Sequence, residues 1–229
     1  MGTTGKRRPG GGARIEDMVL DLARRERIGI PEVVFGEGKT AETIAALVEL
    51  HRAERRNLLI TRLEAAKVPD GVAAGAYEPL GRTLRLGFGD TEPSLGRVAI
   101  VAGGTSDAPV AREAQVTCEF LGCATQLHID VGVAGLHRLV ERLADLEQSE
   151  VIIAVAGFEA ALVSVIAGLF PQPVIGVPTS VGYGVAAGGR VALGAMLASC
   201  ANGVVVMNID NGYGAAVAAY RMLAMRRRA

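Results

Sequence analysis

Arg97-Val-Ala-Ile-Val-Ala-Gly-Gly-Thr-Ser-Asp107 is an uninterrupted apolar run that ends in a small polar turn. Val98 to Val101, bounded by turn residues, predicts a strand covered on both faces, as in a parallel sheet. Gly103 and Gly104 permit sharp backbone turning, and Thr105, Ser106 and Asp107 are each able to cap a following helix. Such a strand, turn and helix start form a place where bare backbone N–H groups meet an anionic ligand.

The pattern repeats downstream. Helices are predicted over Pro109 to Leu121, Leu136 to Gln148, Glu159 to Phe170, Arg190 to Ser199 and Gly214 to Met225. Strands are predicted over Ala124 to Ile129, Val151 to Ala156, Pro173 to Val177 and Val204 to Ile209. Five strands alternating with five helices predict a doubly wound α/β domain over residues 97–229, its five-stranded parallel sheet in flavodoxin-like order.

Upstream, residues 14–92 read as a small α/β domain, and residues 1–13 as a disordered tail. A charged helix from Glu16 to Arg27, strands at Glu32 to Phe35, Leu58 to Thr61 and Thr83 to Leu86, and a helix carrying Ile44, Leu47 and Val48 make up the domain. The Pro/Gly-bearing stretch Asp90 to Gly96 reads as the linker. Gly36-Glu-Gly-Lys-Thr40 is not a nucleoside-triphosphate loop, because Val33 stands where that pattern needs its first glycine. It reads first as a turn and helix cap, with Lys39 able to hold one phosphate.

Composition narrows the function classes. Half of the 229 residues are hydrophobic, ample for a core, whereas aromatics are 4% and Trp is absent, against a base-stacking surface for single strands. Formal charge is zero, so no nucleic-acid partner is expected. The basic clusters Lys6 to Arg8 and Arg226 to Arg228 read as solvated tails. The first dozen residues lack the apolar core of a secretory signal, and Lys6 stands where a myristoylation motif needs Ser or Thr. No apolar run is long enough for a membrane span. Three cysteines without metal-ligand spacing predict a reduced, cytoplasmic protein. Cys118 and Cys123 read as small core residues.

Ligands of open α/β sheets bind beyond the carboxyl ends of the strands. Those ends carry Gly103 to Asp107, His128 to Asp130, Gly157 to Glu159, Pro178 to Gly184 and Asn208 to Gly212. Asp107, Asp130, Glu159 and Asp210 converge there with no Lys or Arg in the same turns, which suits general acid/base work or a hydrated divalent cation such as magnesium. Magnesium is the one cofactor these acids suggest, with no ligand assigned; no organic cofactor is expected. Asp107 and Asp210 also suit helix caps, and Glu159, followed only by apolar residues, is the leading acid. His128, late on a strand, is placed to reach the ligand edge; His137 and His51 read as structural or surface residues.

The helices at 159–170 and 190–200 are apolar nearly all round. A helix apolar on every face must be covered on every face, so they predict a homo-oligomer with both at its interfaces.

Several runs together resemble a known family. Ala102-Gly-Gly-Thr-Ser-Asp107, Ala156-Gly-Phe-Glu-Ala-Ala161 and Pro173-Val-Ile-Gly-Val-Pro178 are similar to the phosphoribosylaminoimidazole carboxylase/mutase superfamily. Asp130-Val-Gly-Val-Ala-Gly-Leu-His-Arg138, Pro178-Thr-Ser-Val-Gly-Tyr-Gly184, Ser199-Cys-Ala-Asn-Gly203 and Asn208-Ile-Asp-Asn-Gly-Tyr-Gly214 narrow the resemblance, as does Arg27 to Thr40. They resemble the nicotinic acid adenine dinucleotide carboxylase/hydrolase of nickel-pincer cofactor biosynthesis. The Ala-His-Arg signature of the purine enzymes is replaced here by Ile129-Asp-Val-Gly, which disfavours their imidazole substrate.

The resemblance implies carboxylation of a pyridinium ring by carbon dioxide or bicarbonate, cleavage of the phosphoanhydride to release AMP, and an octamer. It places the nucleophile on Cys200 and the paired acid on Glu159, with Asp107 a second candidate for the ring proton. Substrate contacts are expected from Gly104, Thr105, Ser106, Gly157, Ser180, Asn208, Asp210, Asn211 and Lys39, with the first domain over the adenylate half. Cys200 precedes its strand while the acids follow theirs, so either Cys200 only packs or a neighbouring subunit completes the site. The alternatives are a carboxylase/mutase for a purine-pathway aminoimidazole ribonucleotide, and a non-catalytic nucleotide-binding regulator.

Overall fold

The computed structural model describes residues 14–15, 18–21, 23–88 and 95–226. The expected tail at 1–13, the linker residues 90–94 and the basic residues at 227–228 lie outside the described residues. Two compact units are formed, one by residues up to 77 with 84–88, the other by 78–83 and the residues from 95 on.

The second unit is an all-parallel sheet of β1 (Arg97–Ala102), β2 (Ala124–Ile129), β3 (Val151–Ala156), β4 (Val174–Pro178) and β5 (Val205–Val206). Their spatial order is β5-β4-β3-β1-β2, the flavodoxin-like arrangement. Val98 pairs with Thr125 on one side and Val151 on the other, which sets the register across the centre.

Strand periodicity sorts the apolar run onto two faces. Val98, Ile100 and Ala102 point into one core with α1 (Ala108–Phe120) and α6 (Gly212–Arg226). Ala99 and Val101 point into a second core with α2 (Leu136–Val140), α3 (Leu143–Glu147), α4 (Ala161–Leu169) and α5 (Arg190–Leu197). Each fully buried Val or Ile in these layers stabilises the fold by about 1.5–3 kcal/mol.

Small residues let α1 and α6 come close. A Cβ at Gly212 would sit 2.3 Å from the Val110 carbonyl, and Ala111, Ala114, Ala215 and Ala219 are fully buried. Buried Glu113 on α1 accepts from the Tyr213 N–H, and the Asn211 side chain from the Gly214 N–H. A carboxylate there also complements the helix dipole.

Two expectations for this unit change. The helix expected over Leu136 to Gln148 is broken between α2 and α3, where the Arg142 N–H takes the Leu139 carbonyl in a tighter turn. The strand expected over Val204 to Ile209 is only β5, because Asn208 bonds the Ile209 N–H and the Asp210 N–H is drawn to the Pro178 carbonyl.

The first unit holds all but Glu78 and Thr83 of a mixed sheet ordered Val34–Phe35, Leu58–Thr61, Thr83–Leu86, Tyr77–Glu78. Helix Ala41–Ala53 packs Ile44, Leu47 and Val48 against it, and the Thr40 hydroxyl caps that helix by accepting from the Thr43 N–H. The charged helix expected from Glu16 to Arg27 is replaced by antiparallel strands at Arg14–Ile15 and Met18–Val19 and a short helix at Arg24–Ile28. Glu16 and Asp17 are outside the described residues. Among the described residues no helix is long and apolar enough to cross a membrane.

Candidate functional site

After β1 the chain leaves for β2 on one side, then returns past β1 to β3 on the other. This switch point leaves a crevice at the carboxyl ends of β1 and β3. A cavity of about 300 Å³ lies there, lined by Gly103, Gly104, Ser106, Asp107, Gly132–Ala134, Ala156–Leu162 and Val181. Of the expected site residues it brings together Gly104, Ser106, Asp107, Gly157 and Glu159.

Asp107 is the clasp of this crevice. It is 5% exposed; Oδ2 accepts from the Gly104 N–H at 2.9 Å, closing the turn, and Oδ1 accepts from the Thr179 hydroxyl at 2.6 Å. The second bond ties the β1 turn to the loop after β4. Burial pushes the Asp107 carboxyl above its ordinary 3.8, Asp210 adds to the rise, and hydrogen bonds from Thr179, Gly104 and Gly157 oppose it.

A raised folded pKa means the fold prefers the protonated form. Its stabilising share is complete below the unfolded value and is lost as pH rises through the folded one. Asp107→Asn keeps an acceptor for Thr179 and removes the titration. Wild-type stability minus Asp107→Asn stability, measured by urea unfolding, is therefore expected to fall as pH rises from about 4, the ordinary carboxylate range. A difference that grows with pH would show that the fold instead favours the carboxylate.

Backbone strain gathers on the same edge. Asp130, Phe158, Ala160 and Asp210, all following strands, have φ between 52° and 66° without being glycine. Each such residue costs of order 1–3 kcal/mol and persists where surrounding structure imposes it. Gly157 is irreplaceable for a different reason, since a Cβ there would lie 2.4 Å from the Val181 carbonyl and 2.7 Å from the Thr179 hydroxyl. The Phe158 N–H donates to that carbonyl. Among the described residues no side chain caps α4, which begins at Ala161 on the cavity wall, so its positive dipole end favours an anion there. Glu159 is exposed and makes no hydrogen bond or ion pair among the described residues, so its carboxylate is available to a ligand.

Around the cavity, Asp210 Oδ1 accepts from the Ser180 N–H at 2.8 Å, joining the β4 and β5 loops and placing Ser180, Asn208, Asp210 and Asn211 in one cluster. Asp130 is paired with Arg138, a cation eight residues on and beyond the strand-end turn itself. Asp107, Asp130 and Asp210 are therefore separately engaged, and Glu159 is left open to a ligand. No three His, Cys, Asp or Glu side chains among the described residues come together to hold a metal ion.

The remaining expected residues lie elsewhere. Thr105 is exposed beside the lining turn. Lys39 belongs to the first unit, where its N–H closes a turn onto the Gly36 carbonyl. His128 is outside the cavity lining; burial lowers its pKa, with Asp145 raising and Arg142 lowering it, and its buried Nε2 has no hydrogen-bond partner among the described residues. Cys200 is exposed and does not line the cavity. Ser199, directly before it, meets Ser164 of α4 with their hydroxyls 2.7 Å apart, which ties the Cys200 loop to the helix that follows Glu159. Thr179, Phe158, Val181 and Gly132–Ala134 were not among the expected site residues; the runs containing them were recognised, but not which members face inward.

Family models match two parts of the chain. Residues 97–229 match AIR carboxylase, and residues 13–87 match the LarB/PurE-like N-terminal domain. An uncharacterized protein of Methanocaldococcus jannaschii is 41% identical over 215 residues, 88% of this chain and 82% of that one. The N5-carboxyaminoimidazole ribonucleotide mutase of the same organism is 32% identical over 136 residues, 56% of this chain and 80% of the mutase. The mutase of that name from Synechocystis is 37% identical over 87 residues, 35% and 47% of the two chains.

Proposed function

The chain belongs to the AIR carboxylase family of carboxylase/mutase-type enzymes, and from that premise we propose that it carboxylates the pyridinium ring of nicotinic acid adenine dinucleotide and hydrolyses the phosphoanhydride. The match to a LarB/PurE-like N-terminal domain supports this choice within the family. The observation that carries it is the contrast among the cysteines. Cys118 and Cys123 are buried, and burial pushes the Cys118 thiol well up and the Cys123 thiol up to about 11; Cys200 alone is exposed.

A pyridinium ring is electron-poor and does not attack carbon dioxide. The Cys200 thiolate adds to the carbon beside the ring nitrogen, and the C=N⁺ pair moves onto nitrogen, giving a dienamine. The neighbouring carbon attacks carbon dioxide, forming the C–C bond and restoring C=N⁺. Glu159 takes the proton from that carbon, the C–S bond breaks and aromaticity returns; no external oxidant is needed. Water then attacks one anhydride phosphorus and AMP leaves. The uncapped amino end of α4 on the cavity wall supplies charge stabilisation.

Within one chain Cys200 is outside the cavity that holds Glu159, so the proposed site is completed by a second copy. Outer residues of α4 and α5 are left for it, with Leu169 54% and Leu197 69% exposed. An octamer follows from the family resemblance. Light scattering is expected to give a multiple of the protomer mass; a monomer would overturn the shared site.

Incubation with nicotinic acid adenine dinucleotide and bicarbonate, followed by mass analysis, is expected to yield AMP and a doubly carboxylated pyridinium mononucleotide. The similarity to N5-carboxyaminoimidazole ribonucleotide mutases favours a second reading, a carboxylase/mutase for an aminoimidazole ribonucleotide. Turnover of that ribonucleotide, unaffected by thiol alkylation, would select it.

A further inference from the structure

The chain has five Phe, four Tyr and no Trp; one of these rings lines the cavity and a second packs against it, neither belonging to the two cores of this unit. Phe158 lines the cavity at 39% exposure, and Tyr183 is 78% exposed. Their ring centroids are 5.4 Å apart at 86°, an edge-to-face pair. That geometry engages the edge of one ring and one face of the other, leaving ring faces open to a third partner.

The backbone holds the pair in place at some strain. Phe158 sits at φ 52° between a glycine that admits no side chain and the exposed Glu159, and its N–H is bonded to Val181, two residues before Tyr183. An exposed phenylalanine in a left-handed turn gains little from burial, so packing does not account for it. The same cavity is lined by Gly103, Gly104 and Gly132, which have no side chains to keep a flat ring off the backbone. The nearby charge is acidic, with Glu159 adjacent to Phe158 and Asp210 bonded to Ser180, three residues before Tyr183.

We propose that Phe158 and Tyr183 form a ring-recognition subsite that takes a flat, positively charged heteroaromatic ring on their π faces and selects it over the same ring uncharged. The inference rests on the pyridinium reading of the site and assigns its specificity to two residues that do not take part in bond making. The face of an aromatic ring carries negative quadrupole density, so a cationic ring is held more tightly than a neutral one, and more so where water is excluded.

The test uses two small probes on the full chain, 1-methylnicotinate with its permanent ring charge and nicotinate, whose ring nitrogen is uncharged at neutral pH. Wild type is expected to bind the charged probe the more tightly by calorimetry. Phe158→Leu and Tyr183→Ala are expected to reduce that preference by roughly three- to thirtyfold, while Phe158→Tyr and Tyr183→Phe retain it. In turnover of nicotinic acid adenine dinucleotide the first two raise KM by a similar factor with little change in kcat. Equal binding of the two probes by wild type, or a preference that survives in folded Phe158→Leu and Tyr183→Ala, would overturn the subsite. A preference that follows the aromatic rings in a protein that does not turn over the dinucleotide would support the subsite and remove the pyridinium carboxylase reading alone.

Discussion

Cys200→Ala is expected to lower carboxylation of nicotinic acid adenine dinucleotide by roughly 10⁴-fold or more, almost entirely in kcat, with the assembly intact. The size of the effect follows from the chemistry. Without the thiolate the ring never becomes a dienamine and stays too electron-poor to attack carbon dioxide. The fold should not notice, because Cys200 is exposed and such substitutions usually change stability by about 0.5 kcal/mol or less. Alkylation gives an independent view of the same residue. Iodoacetamide should modify one thiol per folded chain, in step with loss of activity, because burial shields Cys118 and Cys123 and holds their thiols protonated. Turnover by Cys200→Ala at the wild-type rate would end the adduct mechanism.

The parts of this fold that depend on local periodicity were readable from the residues. The run Val98 to Ala102 alternates between two cores, and a strand that does so lies inside a doubly wound sheet. That placement points to the carboxyl ends of all five strands, and the strand order then narrows the site to β1 and β3. The clasp itself was not readable, because Thr179 meets Asp107 across 72 residues and only the folded sheet brings them together. The Asp130–Arg138 pair is local, eight residues apart, but the turn between them decides that the two side chains meet, and spacing alone does not show it. Phe158 was quoted within a family motif, but a strained, outward-facing phenylalanine is indistinguishable in sequence from a core one. At the amino end, charge and helical spacing in Glu16 to Arg27 favoured a helix, whereas pairing of Arg14–Ile15 with Met18–Val19 imposes extended backbone on residues 14–15 and 18–19. Local propensity gave way to tertiary pairing.

Glu159→Gln is expected to lower kcat by roughly 10²- to 10⁴-fold with KM little changed. Glutamine keeps the shape of the side chain and its ability to contact the ring, but it cannot accept the proton released when aromaticity returns. The adduct still forms in this variant, so a covalent mass increase on Cys200 should accumulate where wild type shows none. An unchanged kcat would transfer the proton step to another group. The two variants together also decide where the site lies. If Cys200 and Glu159 act from different chains, a protein reassembled from equal amounts of Cys200→Ala and Glu159→Gln chains contains intact sites, each using the cysteine of one and the glutamate of the other. Random mixing across a heterologous interface makes about a quarter of the sites whole, so activity should return to about that share of wild type. If both groups act within one chain, no mixture contains an intact site and activity stays at the level of the separate variants. The exposed Cys200, tied through Ser199 to Ser164 yet absent from the cavity wall beside Glu159, is the geometry that predicts recovery.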